Sequence, residues 1–251
     1  MHTKNQFVLI LSVIFLTCLS ACASSANQLP GGLTLEEHEL LQPPNTDTFG
    51  FQPVESTQAE ILSRHAEEHS KINPFDYTLE NNNPALQTTW NNGELIAVVV
   101  NDVEKPPQQI VRVSHNGENI FTTQAGTPSP IVPLQGLWAY DKHWALEIAL
   151  STPDVWAGEI VIDGELVNQQ KGYDEAFGFQ LLSDKPFFFY ERNGQIGFSY
   201  DGQEANLPYD NIPHYQCCAE SVTNPIAAEN MVAFFAQKNE TWYYVELGVF
   251  K

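Results

Sequence analysis

Two short clusters carry residue types that do chemistry. The first is His65-Ala66-Glu67-Glu68-His69. On a helix, positions four apart share a face, so both imidazoles could reach one metal ion. Glu68 would then stand beside a metal-bound water, and His38 or Glu80 would have to complete the ligand set. The plain alternative is a solvated polar helix with two exposed histidines. The second cluster is His214-Tyr215-Gln216-Cys217-Cys218. Two thiols and an imidazole suit a soft metal such as copper or zinc. Consecutive side chains on a strand face opposite ways, so both sulfurs reach one ion only where the chain turns. Asn211, Pro213, Asn224 and Pro225 favour such a loop.

The first cluster, His-x-x-Glu-His, resembles the motif of the inverted zincins. That resemblance implies a zinc-dependent hydrolase, with His65 and His69 holding zinc and Glu68 working on the bound water. It covers the motif and nothing else of the chain. The helix that must present it is expected over 56–70. Thr57 and Glu60 have the spacing of a capping box, Ala59, Ile61, Leu62 and Ala66 give a weak apolar stripe, and Asn73-Pro74 ends it. The turn cluster Glu80-Asn81-Asn82-Asn83-Pro84 marks the expected boundary of a second unit.

From residue 85 onward the pattern is that of strands. Leu95–Val100 is rich in β-branched residues. Ile110–Val113 alternates and turns at Asn116-Gly117 into Asn119–Thr123, a strong hairpin signal. Three aromatic-led stretches end in glutamate: Trp144-Ala145-Leu146-Glu147, Phe188-Phe189-Tyr190-Glu191 and Tyr243-Tyr244-Val245-Glu246. Each follows an apolar strand and a polar turn with a lysine. Two are followed by a matching second element, at Gly158–Glu165 and Gly194–Gln203. The repeated unit resembles a β-propeller blade of four short strands, and implies a small or incomplete propeller-like domain over 85–251. A β-sandwich fits the same turn-separated short strands. The aromatic wealth, including Trp138, Trp144, Trp156 and Trp242, reads as core ahead of a sugar- or peptide-binding surface.

The N-terminus places the whole. His2 and Lys4 precede an apolar run from Phe7 to Leu19, and small residues follow, the order of a secretory signal. Leu19-Ser20-Ala21-Cys22 resembles the lipobox of bacterial lipoproteins. The resemblance implies a signal peptide over 1–21 and acylation of Cys22 by palmitate-type chains. Ala23, a non-aspartate after the cysteine, implies outer-membrane delivery where the cell has two membranes. The apolar run falls short of the ~20 residues of a spanning helix. Acyl chains contribute about 0.8 kcal/mol per methylene, and two suffice for stable attachment. Residues 22–55, rich in serine, proline and glycine, then read as a flexible tether. An acidic patch at Leu35–Leu41 could form a helical turn, and 56–84 follows as helix and linker.

With Cys18 lost in the signal and Cys22 acylated, Cys217 and Cys218 are the thiols left to the folded part. Export favours their oxidation to a vicinal disulfide. Neighbouring Cα atoms lie about 3.8 Å apart, under the usual disulfide span of about 4.4 Å or more, so such a ring is strained and reducible. A redox or metal sensor with His214, and two separately buried thiols, stay open beside it.

The composition narrows the partners. Asp and Glu number 31 against 11 Lys and Arg, a formal charge of -20. Such a chain is repelled by nucleic acid and by anionic headgroups. There is no Asp-x-Asp-x-Asp calcium loop, no Gly-x-Ser-x-Gly elbow, no phosphate loop and no dinucleotide fingerprint. No catalytic residue and no cofactor is therefore assigned. The expectation is a lipid-anchored, extracytoplasmic β-repeat domain that binds or scaffolds an unknown protein, peptide or glycan.

Overall fold

The computed structural model describes residues 29–41, 43–44, 78–80, 83–151, 156–215 and 224–249. Hairpin turns set the architecture. Two-residue connections such as Asn91-Asn92, Asn116-Gly117, Asp163-Gly164, Asn193-Gly194, Asp201-Gly202 and Asn239-Glu240 hold both residues at positive φ. That is the backbone of the turn whose twist matches paired strands, and Asn, Asp and Gly tolerate it best. Each such turn sends the next strand back beside the last, so the chain folds as successive antiparallel meanders.

The first meander is β3 (Asn83–Trp90), β4 (Gly93–Asn101), β5 (Gln109–His115) and β6 (Glu118–Gly126), with β2 (Thr78–Glu80) paired ahead of β3. The sheet thus reaches back to Thr78, ahead of the boundary expected at residue 84. The second is β7 (Leu134–Tyr140), β8 (His143–Ser151), β9 (Trp156–Ile162) and β10 (Glu165–Leu166), followed by a helical turn, α1 (Val167–Lys171). One parallel bridge, Gly126↔Ser151, joins these two into a single sheet. Gly126 sits at φ +83, and a Cβ there would collide with the Ser151 backbone, so the bridge requires glycine.

The third meander is β11 (Glu175–Leu182), β12 (Lys185–Arg192), β13 (Gln195–Tyr200) and β14 (Gln203–Asn206). The fourth is β15 (Ile226–Ala228), β16 (Met231–Lys238) and β17 (Thr241–Gly248), and its last place is filled by β1 (Thr34–Glu39). The register of that last pair runs from Thr34↔Gly248 to Glu39↔Tyr243. The tether expected over 22–55, with a helical turn at 35–41, is corrected here. Residues 34–39 are a strand, drawn into the sheet because the edge of β17 supplies backbone partners that a solitary acidic turn lacks.

Apolar clusters join neighbouring meanders. Leu95, Val111 and Val113 meet Leu134, Leu146 and Val161 between the first and second. Ala145 and Ile160 meet Ala176, Phe179 and Phe188 between the second and third. Phe177, Phe189 and Phe198 meet Phe234, Val245 and Leu247 between the third and fourth. Strands β8 and β16 are buried almost throughout, on both faces. Their sequences explain it, since Trp144–Leu150 and Met231–Ala236 are near-continuous apolar runs rather than alternating ones. The fold is all-β, and among the described residues no helix is long and apolar enough to cross a membrane.

Candidate functional site

One polar position interrupts the apolar run of β8. Glu147 is only 4% exposed and lies between the second and third meanders. A carboxylate there needs donors, and β11 supplies them through a bulge. The pairing of β11 with β12 shifts register between Phe177 and Gln180, and Gly178 takes φ +66. The bulge turns two successive amides outward. Gly178 N–H donates to Glu147 Oε1 at 2.9 Å, and Phe179 N–H donates to Oε2 at 2.6 Å. The Tyr215 hydroxyl donates to Oε1 as a third partner. Burial pushes the Glu147 carboxyl above its usual range, with these donors and nearby His214 pulling it back down. Burial, then the Glu147 charge, pushes the Tyr215 hydroxyl well up, so it stays protonated and donates.

His214, described together with Tyr215 from the His-Tyr-Gln-Cys-Cys cluster, sits beside this group. Its ring stacks on Phe177 with centroids 3.5 Å apart and planes 3° from parallel. Nδ1 lies 2.6 Å from the Ile212 carbonyl oxygen, and Nε2 lies 3.0 Å from Glu175 Oε1. Both ring nitrogens therefore face oxygen atoms of the chain. Glu175 Oε1 also accepts from Gly158 N–H at 2.6 Å, fastening β11 to β9. A Cβ on Gly158 would collide with the Ala176 carbonyl, so the close approach of the two strands depends on that glycine.

The 212–215 segment is held from its other side by Asn224, which is 2% exposed. Its Nδ2 donates to the Pro213 carbonyl at 2.6 Å, and its Oδ1 accepts from Phe235 N–H at 2.8 Å. Both necks of the stretch that carries Cys217 and Cys218 are thereby anchored, at 212–215 and at 224. Cys22, His65, Glu68, His69, Cys217 and Cys218 themselves lie outside the described residues. His38 is described. It lies on β1 opposite Tyr244, and its Nε2 is buried with no hydrogen-bond partner among the described residues.

A second polar cluster packs on the third meander. Arg192 lies over the rings of Tyr173 and Tyr190, 4.8 and 5.3 Å from their centroids, and donates to Glu204 at 3.0 Å. Tyr173 donates to the other Glu204 oxygen at 2.8 Å. Burial alone would raise the Glu204 carboxyl, but these donors and the Arg192 charge hold it below its usual value. Among the aromatic residues, Trp144, Phe187, Phe188, Phe189, Tyr190 and Tyr244 are buried in the core clusters. Trp156 is tied inward by donation to Ser129 Oγ at 3.1 Å.

What Glu147, Glu175, His214 and Tyr215 do chemically is join sheets. The carboxylates take backbone N–H groups of the neighbouring meander and pin the 212–215 segment. Reasoning from sequence missed Glu147 and Glu175 as a pair, although a glutamate inside Trp-Ala-Leu-Glu-Ile-Ala-Leu is the signal that could have found the first. Compared with known protein families and with curated proteins, the chain matches none.

Proposed function

We propose that this is a lipid-anchored module of the cell envelope whose β-body binds a protein, peptide or glycan partner and is not itself a catalyst. We further propose that its meanders are the blades of a small propeller. The observation that carries this reading is the last sheet, ordered β1-β17-β16-β15, in which the N-terminal strand completes the C-terminal meander. Sharing one blade between the two ends of the chain covers an edge that a ring of radial sheets must protect. Apolar clusters on both faces of the second and third meanders also favour this over a two-layer sandwich, where each sheet keeps a solvated face. Glu147 and Glu175 support a non-catalytic role, because they are engaged in hydrogen bonds between the second and third meanders. Acylation at Cys22 sets the placement at a membrane surface, the outer membrane where the cell has two.

The test is Cys22→Ser. Wild type should incorporate labelled fatty acid and sediment with envelope membranes, and the variant should do neither. A variant that is still processed normally and still fractionates with membranes would overturn the placement.

A further inference from the structure

We propose that the folded body rests directly on the bilayer with one defined end down, a reading that builds on acylation of Cys22. The chain is already part of the fold at Leu29. Leu29 packs against the core cluster shared by the third and fourth meanders, and Leu33 is buried within it. Between them a 3₁₀ turn, Pro30–Gly32, packs on β14. Gly31 holds φ +65 there and lies so close to the Tyr200 ring that a Cβ would collide with it. Residues 23–28 are all that separate this fixed point from the acylated cysteine. At ~3.3–3.6 Å per residue that span reaches at most about 25 Å when fully stretched, and less when relaxed.

The point where the chain enters the fold identifies which end faces down. Tyr200 is the last residue of β13, before the Asp201-Gly202 turn. Its hydroxyl donates to the Leu182 carbonyl at 3.3 Å, beside the Ser183-Asp184 turn. Ser183 N–H donates to the Glu229 carbonyl at 2.8 Å, and Val249 N–H to the Asn230 carbonyl at 2.9 Å. The β11–β12, β13–β14 and β15–β16 turns, the end of β17 and the start of β1 thus share one end of the third and fourth meanders. The Asn193-Gly194 and Asn239-Glu240 turns lie at the other, beyond the far ends of β12 and β16. β12 alone has 8 residues, so at ~3.3 Å per residue the two ends are about 25 Å apart. Asp184, Asp201 and Glu229 outnumber Lys185, which pairs with Asp201, so the lower end is net acidic and is held down by its short leash and not by charge. The opposite end, with its Asn193 and Asn239 turns, faces away from the lipid and is the side a partner can reach.

The experiment uses the acylated full-length mature protein in phosphatidylcholine vesicles that carry a quencher at headgroup depth. A fluorophore is placed at Glu229→Cys or at Gln195→Cys, each in a Cys217→Ser, Cys218→Ser background. The expected result is several-fold stronger quenching at 229 than at 195. A flexible Gly-Ser insert of ~20 residues after residue 28, which adds an r.m.s. reach of about 25 Å, should abolish that difference. Equal quenching at the two sites without the insert, or stronger quenching at 195, overturns the orientation while the anchor stands. Acylated protein that fails to float with the vesicles overturns the anchor and the orientation together.

Discussion

The junction between the third and fourth meanders and the junction between the second and third are built from different chemistry. The former is almost wholly apolar, with Phe187, Phe189, Phe198, Phe234 and Leu247 buried completely or nearly so. The latter has an apolar cluster too, but Glu147, Glu175 and His214 tie its strands beside that cluster, and Tyr215, at the margin of the first cluster, donates to Glu147. Apolar contacts are non-directional, so the first junction supplies stability and tolerates small slides. Buried polar groups must meet their partners at fixed angles, so the second sets register. Glu147 can be satisfied only where the β11 bulge presents two amides, and that fixes β11 against β8 at one position. The contrast teaches that this molecule separates the two tasks between neighbouring interfaces.

The largest effect should come from the apolar junction. Phe234 is fully buried, and Phe234→Ala should cost about 3–5 kcal/mol, read as a fall in the urea midpoint and in Tm. Next is Glu147→Ala. It strands the Gly178 and Phe179 amides and the Tyr215 hydroxyl, and should cost about 3 kcal/mol in chemical denaturation. An equal or greater loss at Glu147 than at Phe234 would break the division between stability and register.

A pH series sharpens the same contrast. Burial raises the folded-state pKa of Glu147 above its ordinary 4.5. The folded chain therefore holds that proton more tightly than the unfolded one. The contribution is fully present below pH 4.5 and is lost as pH rises through the folded value. The stability of wild type relative to Glu147→Gln should decline as pH climbs from 4.5 to neutral in urea titrations. A difference that stays flat, or that grows with pH, contradicts this. The smallest effect belongs to the surface. Lys185 and Asp201 pair at 2.5 Å with both side chains nearly half exposed, and hydrogen bonding to Asp201 raises the Lys185 ammonium. Water and salt screen such a pair, so Lys185→Ala should leave Tm unchanged within error at moderate ionic strength.

Much of the strand order could be read before the structure. Asn116-Gly117, Asp163-Gly164, Asn193-Gly194 and Asp201-Gly202 are local signals, because the turn type is decided by the residues in it. The aromatic-led strands at 144–147 and 188–191 are equivalent, as β8 and β12. The third, at 243–246, falls on β17, one strand later in its meander, since the short β15 precedes it. That strand has too few residues to show a period. β1 was illegible for a different reason: Thr34–Glu39 has a weak apolar pattern of its own and is a strand because β17 offers it an edge. The Glu147 site was half legible. A lone acid in an apolar strand marks burial, but its donors are backbone amides of β11, which no residue type announces. The bulge that turns them rests on Gly178, one glycine among fifteen.

A double-mutant cycle between Glu147→Gln and Tyr215→Phe tests most directly the claim that a polar tie fixes this junction. The account predicts a coupling of about 1–2 kcal/mol, beyond the ~0.3–0.5 kcal/mol within which independent sites add. Strict additivity would mean that the two side chains do not act as a unit and that the register is held by packing alone.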